Sequence, residues 1–357
     1  EWPEDMAVGK FVIPREDEFL ILSPTQAAEL IGIAFAPRRG EDLRIDVHAR
    51  INALLPEVDV VAGAELLSRI DAWLLPEVSY LSSVLSRFES MSIRMPTAMI
   101  GYDALPMTEP ANYRFPPGVA ANASEYFRLL ASTSILVCIS DYSKRTIADR
   151  LRRSSHLHSS VSYPGGDHVP VEEPRIPRSG EPVRFLRVGT MEARKSPLEI
   201  VRAFLQAREA GSDVRLTFVG ARSSSYEWMN EELVAAEGRD LGFTWLTQAS
   251  DDDLVSIMSE CDVFLSFGTE GYGIPVLESI RRGTPVLFGG IQPAAELVQG
   301  LGAVDCGEPS QENIRAMFEK YADRNVIERA RRMVDPQAVP TWADFARGVV
   351  QPIVTAL

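Results

Sequence analysis

Two glutamates, Glu270 and Glu278, bracket a glycine-rich turn in "FGTEGYGIPVLESIRRG", with seven residues between them. Before the turn, "DVFLSF" (262–267) is an apolar run of strand length, and "IPVLESIRRG" after it has helical spacing. Pro275 suits a first helical turn, where its missing N–H costs nothing, and Gly283 suits the stop. Gly271 and Gly273 therefore fall in a strand-to-helix loop. Exposed amides at a helix start attract phosphate, whereas a carboxylate repels it. The two acids thus belong beside ligand hydroxyls, from which they accept hydrogen bonds. A diphosphate between two polyols is a sugar nucleotide. The plainer alternative is a glycine turn, a solvated loop acid and a glutamate favoured by the helix dipole. The loop by itself leaves the two readings even.

A second constellation narrows the choice. "VGTMEARKSP" (188–197) places Arg194 and Lys195 in the loop after another apolar run, just before an expected helix cap at Ser196. Such a cation pair is usually solvated. In a parallel sheet, however, both loops open at the same edge, so two cations would flank the diphosphate held by the glycine-loop amides.

The elements that must position these loops are regular from residue 183 onward. Strand-type runs occur at 183–190, 213–221, 243–247, 262–267, 284–290 and 302–306, with helical spacing at 196–210 and 251–262. Near-continuous apolar strands alternating with helices predict a parallel sheet covered on both faces. "SYPGGDHVPVEEPRIPRSGEP" (162–182), rich in proline and glycine, reads as an interdomain linker. The first half has strand-type runs at 18–23, 70–76, 97–103 and 134–140 and a helical pattern at 142–153, which again suggest an α/β layer. The tail 341–357 reads as a helix.

At 357 residues the chain exceeds one compact core, and 45% hydrophobic with 24% charged residues is ordinary for a soluble globular protein. A net charge of −14 without a basic block argues against nucleic acid. Cys138, Cys261 and Cys306 lack metal-type spacing and fit a reducing compartment. No apolar run is long enough to span a bilayer, so the expected location is cytoplasmic, at most at the inner face of a membrane. The chain starts at Glu1 without methionine, which fits a trimmed chain or one part of a longer polypeptide, with a further domain or subunit upstream.

"VGTMEARKSP…AF" followed by "EGYGIPVLESIRRGTPV" resembles the donor domain of retaining GT-B glycosyltransferases of the GT4 family, whose acid–seven–acid signature Glu270 and Glu278 match. "LTFVGA", "LTQASDDDLVSIMSECDVFLS" and "TWADFA" support the resemblance. In the first half "MIGYDALPMTEP", "ILVCISDYSKRTI" and "YPGGDHV" are similar to segments of the mannosyl- and rhamnosyltransferase group. The resemblance implies an α/β GT-B fold with two Rossmann-like domains facing a central cleft. These would be residues 1–172 on the acceptor side and 173–338 on the donor side, with 339–357 crossing back as a helix. It implies that Glu270 binds donor sugar hydroxyls, that Arg194 and Lys195 neutralise the diphosphate, and that Glu278 holds the ribose. The amides of Gly271, Tyr272, Gly273 and Ile274 would contact diphosphate or sugar. Gly189 would belong to the donor site, and the base would lie near Gly220, Thr247 and Gln248.

Two departures from the family stand out. Residues 1–30 show no glycine-rich loop, and Tyr102 stands where many relatives have histidine, leaving Tyr102 and Asp103 as acceptor-side candidates. Asp103 is either a general base or a structural acid at a strand end. "DDD" (251–253) after Ser250 reads as helix capping rather than metal binding. His156 and His158 lack further ligands for a metal, and no dinucleotide fingerprint, Walker loop or nucleophile elbow is found. The expectation is a retaining, metal-independent hexosyltransferase without a cofactor, which takes a nucleotide sugar and a glycan or glycolipid acceptor and makes peripheral membrane contact through that acceptor. The alternative is a catalytically weak sugar-nucleotide-binding module, or half of a tandem or partner-dependent enzyme.

Overall fold

The computed structural model of the chain describes residues 58–357 apart from 114, 117, 173–174 and 176–179. Before residue 58 it describes 3, 5–7, 9–15, 18–23, 25–29 and 53. The expectation of a missing glycine-rich loop in residues 1–30 therefore falls partly outside the described residues.

The first half contains two sheets. Strands β1 (Phe11–Arg15), β2 (Glu18–Leu22) and β3 (Asp59–Ala62) form an antiparallel sheet in that order. Strands β4 (Trp73–Leu75), β5 (Thr97–Gly101), β6 (Ile135–Cys138) and β7 (His158–Val161) form a parallel sheet. The two central strands are buried along their whole length, as their unbroken apolar runs require. The antiparallel sheet was not legible in the sequence beyond its middle strand. His158 opens β7, so the His-x-His pair belongs to a strand and the turn before it.

The second half is a six-stranded parallel sheet. Its strands are β8 (Val183–Val188), β9 (Val214–Val219), β10 (Phe243–Leu246), β11 (Val263–Thr269), β12 (Val286–Ile291) and β13 (Ala303–Asp305). Their order is β10-β9-β8-β11-β12-β13, the doubly wound order in which the chain turns back at the centre. Alternate residues feed two cores. Phe185 and Phe218 face one side, where Phe318 packs edge-on against Phe185 and Phe204 at 4.8 and 5.6 Å. Leu186, Phe264 and Phe288 face the other, with Leu277 and Ile280. Each buried aromatic ring contributes roughly 2–3 kcal/mol of transfer free energy.

Helix starts follow their sequence signals with one exception. Ser250 and Asp253 form a reciprocal capping box, which accounts for "DDD". Ser196 stands at the cap of Pro197–Glu209 but has left-handed backbone (φ 53°), and its hydroxyl caps nothing. The proline that follows it takes the first helical position, where its missing N–H costs nothing. The helix Trp342–Thr355 lies against β5, β6 and β7, placing Val349 and Ile353 with Ile100 and Val137 in one core. Among the described residues no helix is long and apolar enough to cross a membrane.

Candidate active site

The strand order reverses between β8 and β11, so the loops leaving these neighbours part company at the carboxyl edge of the sheet. Such a crevice is where open α/β sheets bind ligands. After β8 the chain makes a short 3-10 turn, Ala193–Lys195, and passes directly over the end of β11. Gly268 permits this: a Cβ there would lie 2.0 Å from the Arg194 carbonyl oxygen, and its φ is +94°. From below, the buried Gln292 amide donates to the Gly268 carbonyl at 3.1 Å.

This crossing delivers Arg194 and Lys195 to Glu270. Lys195 Nζ lies 2.7 Å from Glu270 Oε1 and Arg194 Nη1 lies 3.0 Å from Oε2, so each carboxylate oxygen has its own cation. Arg194 also donates to the Thr269 carbonyl and to Glu192. Its side chain is only 8% exposed, and its Nε has no hydrogen-bond partner among the described residues. Burial alone would raise the Glu270 pKa, but Lys195 and Arg194 hold it below the ordinary carboxylate value. Burial lowers the Arg194 pKa, and Glu270 and Glu192 more than reverse this. Lys195 titrates below a free lysine, first because it is desolvated and then because Arg194 and Arg187 share the site, despite the pull of Glu270.

Arg187, missed from the sequence because it sits inside an apolar strand, supports the turn. Its guanidinium lies 5.6 Å from the centre of the Phe218 ring and donates to the Lys195 carbonyl at 3.2 Å. Burial lowers its pKa to about 10. Three cations thus meet two carboxylates, Glu270 and Glu192, in a largely desolvated space.

Beyond Glu270 the loop meets the first half of the chain. The amides of Gly271, Tyr272, Gly273 and Ile274 have no hydrogen-bond partner among the described residues. The Gly271 carbonyl accepts from the hydroxyls of Ser140 at 2.8 Å and Ser143 at 3.3 Å, at the start of helix Asp141–Leu151. Ser143 also donates to the Tyr102 carbonyl at 2.6 Å. Asp103 abuts the same glycine: a Cβ on Gly271 would lie 2.8 Å from Asp103 Oδ2. Burial raises the Asp103 pKa, partly offset by its bond from the Leu105 amide and by Arg194. The Tyr102 hydroxyl donates to the Pro76 carbonyl at 2.9 Å. Tyr113, which sequence reasoning passed over, lies within electrostatic range of Arg194 and Asp103; burial pushes its phenol up.

The other expected residues are spread around this centre. Gly189 and Gly220 end β8 and β9, where their amides extend the ladder to Val219 and Leu246. Thr247 and Gln248 follow β10 and are exposed. Tyr272 contributes backbone only, since its buried phenol donates to the Pro164 carbonyl at 2.8 Å. Glu278 stands in helix Ile274–Arg281, apart from the ion cluster, and pairs with His168 at 2.9 Å. On the other side of Arg194 a cavity of about 700 Å³ is lined by Ser196, Thr269, Ile291, Asp305 and Glu308 among others.

Residues 171–333 match the family model described as glycosyl transferases group 1. This segment is similar to group 1 glycosyl transferases. The chain is 29% identical over 140 residues to the serotype-specific mannosyltransferase WbdA of Escherichia coli, across 39% of this chain and 17% of that protein. It is 27% identical over 198 residues to the Escherichia coli O-antigen chain mannosyltransferase B, across 49% and 48%. The chain thus spans about half the length of the second relative and a much smaller part of the first. Among solved structures, Anabaena Alr3699/HepE in complex with UDP and glucose aligns with a TM-score of 0.60 at 14% identity, over 93% of this chain and 95% of that one. WaaG, a glycosyltransferase involved in lipopolysaccharide biosynthesis, aligns with a TM-score of 0.54 at 17% identity, over 77% and 80%. At such identities the likeness is one of fold. The matched segment and the half before it share the GT-B architecture.

Proposed function

We propose that the chain is a retaining glycosyltransferase that moves a hexose of the mannose or rhamnose type from a nucleotide diphosphate sugar to a hydroxyl of a glycan or glycolipid. The observation that carries this reading is Glu270 held between Lys195 and Arg194, beside four amides without partners among the described residues, where the strand order reverses. An arriving diphosphate exchanges with Glu270 and Glu192 as the partner of the cations. Glu270 is then free to accept from a sugar hydroxyl. As the bond from the anomeric carbon to the diphosphate oxygen breaks, its electron pair stays with the diphosphate, and one further negative charge develops where fixed amide dipoles and cations already point, so no reorganisation is required. The acceptor oxygen bonds to the anomeric carbon from the same face, and its proton passes to a donor phosphate oxygen. Glu278 holds the ribose, and the base lies toward Gly220, Thr247 and Gln248. No metal or cofactor takes part in this scheme. The names of the Escherichia coli relatives favour mannose.

The test is incubation with GDP-mannose, dTDP-rhamnose and UDP-glucose, with and without chelator, reading sugar release or transfer and thermal shift. One donor is expected to bind and turn over equally well in both conditions. Loss of activity in chelator, restored by Mn²⁺, overturns the metal-independent scheme. Binding without turnover favours a second reading, a sugar-nucleotide-binding half of a larger enzyme, which the small share of WbdA spanned by this chain supports. The division into residues 1–172, 173–338 and 339–357 belongs to the same proposal.

A further inference from the structure

Glu278 does not stand alone. Its Oε1 lies 2.9 Å from Nε2 of His168, and the other ring nitrogen, Nδ1, receives the indole N–H of Trp342 at 3.1 Å. An indole N–H only donates. Nδ1 is therefore the unprotonated nitrogen, and the ring proton sits on Nε2, where it donates to Glu278. The two rings also meet edge to face, 6.2 Å apart. Trp342 is itself fixed. Its backbone N–H donates to Asp167 Oδ1 at 2.8 Å, and Gly165 packs so closely that a Cβ would lie 2.2 Å from the Trp342 nitrogen. Thr341, just before it, caps the helix Trp342–Thr355 that lies against β5, β6 and β7. A run of contacts thus leads from the helix on the first-half sheet, through Trp342 and His168, to one oxygen of Glu278.

We propose that His168 is a positioning residue that turns the Glu278 carboxylate toward the donor's ribose hydroxyls, with Trp342 setting its tautomer and ring plane. This rests on the reading that Glu278 takes the ribose. The carboxylate makes its side-chain hydrogen bond to His168 through Oε1, which leaves Oε2 and the remaining lone pairs to accept from hydroxyls. Without His168 the same side chain would populate several rotamers, and its bonds to the ribose would carry an ordering cost. The consequence is specific: His168 contributes to discrimination between a ribose and a ring lacking its hydroxyls, not to affinity for phosphate.

The experiment takes whichever of GDP and UDP binds the wild-type chain more tightly and measures its affinity by calorimetry beside its 2′,3′-dideoxy counterpart. Wild type should prefer the hydroxylated form by about tenfold or more, the range expected for a hydrogen bond to a charged group. Glu278→Ala should bring the ratio near one, and His168→Ala should remove most of it. Trp342→Phe should remove part, while His168→Gln, which keeps an N–H donor, should retain most. A full ratio in His168→Ala beside a lost ratio in Glu278→Ala overturns the role of His168 and leaves that of Glu278 standing. A full ratio in Glu278→Ala, or no nucleotide binding by wild type, overturns the ribose assignment and the inference together. If melting curves show that His168→Ala does not fold, an undiminished ratio in Trp342→Phe overturns the inference in its place.

Discussion

Glu270 and Glu278 belong to one loop and helix, yet they are held by opposite means. Glu270 sits between two buried cations that keep it ionised and compensate its charge. Glu278 is held by a neutral imidazole oriented by an indole. The first arrangement is electrostatic and exchangeable, since another anion can replace the carboxylate beside Lys195 and Arg194. The second is directional: it fixes where lone pairs point and supplies no charge to trade. Two identical residues eight positions apart are therefore suited to different tasks, one to a changing charge and the other to a constant shape.

Glu270→Gln should separate the two glutamates most clearly. Transfer should fall about a hundredfold or more, as when a preorganised electrostatic group is lost. Affinity for the nucleoside diphosphate should hold or increase, because Lys195 and Arg194 lose their competing carboxylate. Near-wild-type turnover would remove Glu270 from the chemistry, and weakened nucleotide binding equal to that of a Glu278 variant would dissolve the distinction. Gly271→Ala should come next. A methyl group 2.8 Å from Asp103 Oδ2 forces the loop away from the first half, at a cost of about 1–3 kcal/mol in stability, and lowers transfer more than nucleotide affinity. Denaturant melts and initial rates would check both parts.

Removing the Ser140 and Ser143 hydroxyls together should cost about 1–2 kcal/mol, since the Gly271 carbonyl loses its donor from Ser140 and the Tyr102 carbonyl its donor from Ser143. A double-mutant cycle would show whether the two act as one unit. The smallest effect concerns Asp103. Burial raises its pKa in the folded chain above 3.8, so ionising it opposes folding. Asp103→Asn should therefore raise Tm at pH 7, and the gain should vanish below about pH 3.8 and grow as pH rises through the native value. A variant that is more stable and fully active marks Asp103 as structural. One that is more stable and inactive marks it as part of the acceptor site.

The six strands of the second half were legible because their runs are near-continuously apolar, and the central β8 and β11 expose no residue to solvent. β1 and β3 were missed because they are short: β1 is interrupted by Pro14, and β3 exposes three of its four residues. The approach of the Glu270 loop to the loop carrying Arg194 and Lys195 was legible. Strand-to-helix loops of one parallel sheet share an edge, so their approach follows from topology alone. What could not be read was that the cations would engage Glu270 itself. Nor could the sequence place Arg187 under the turn, because a lone arginine in an apolar strand has no periodicity to announce it.

Local rules determined the strand-turn-helix at 262–283 and the capping box at Ser250, because each depends on neighbours within a few residues. Residues far apart in sequence were brought together only by the tertiary structure. His168 reaches Trp342 across 174 positions and Glu278 across 110, and Ser140 reaches Gly271 across 131. No spacing encodes those approaches. They exist because one helix folds back onto the first sheet and two sheet edges face each other, a matter of packing the whole chain.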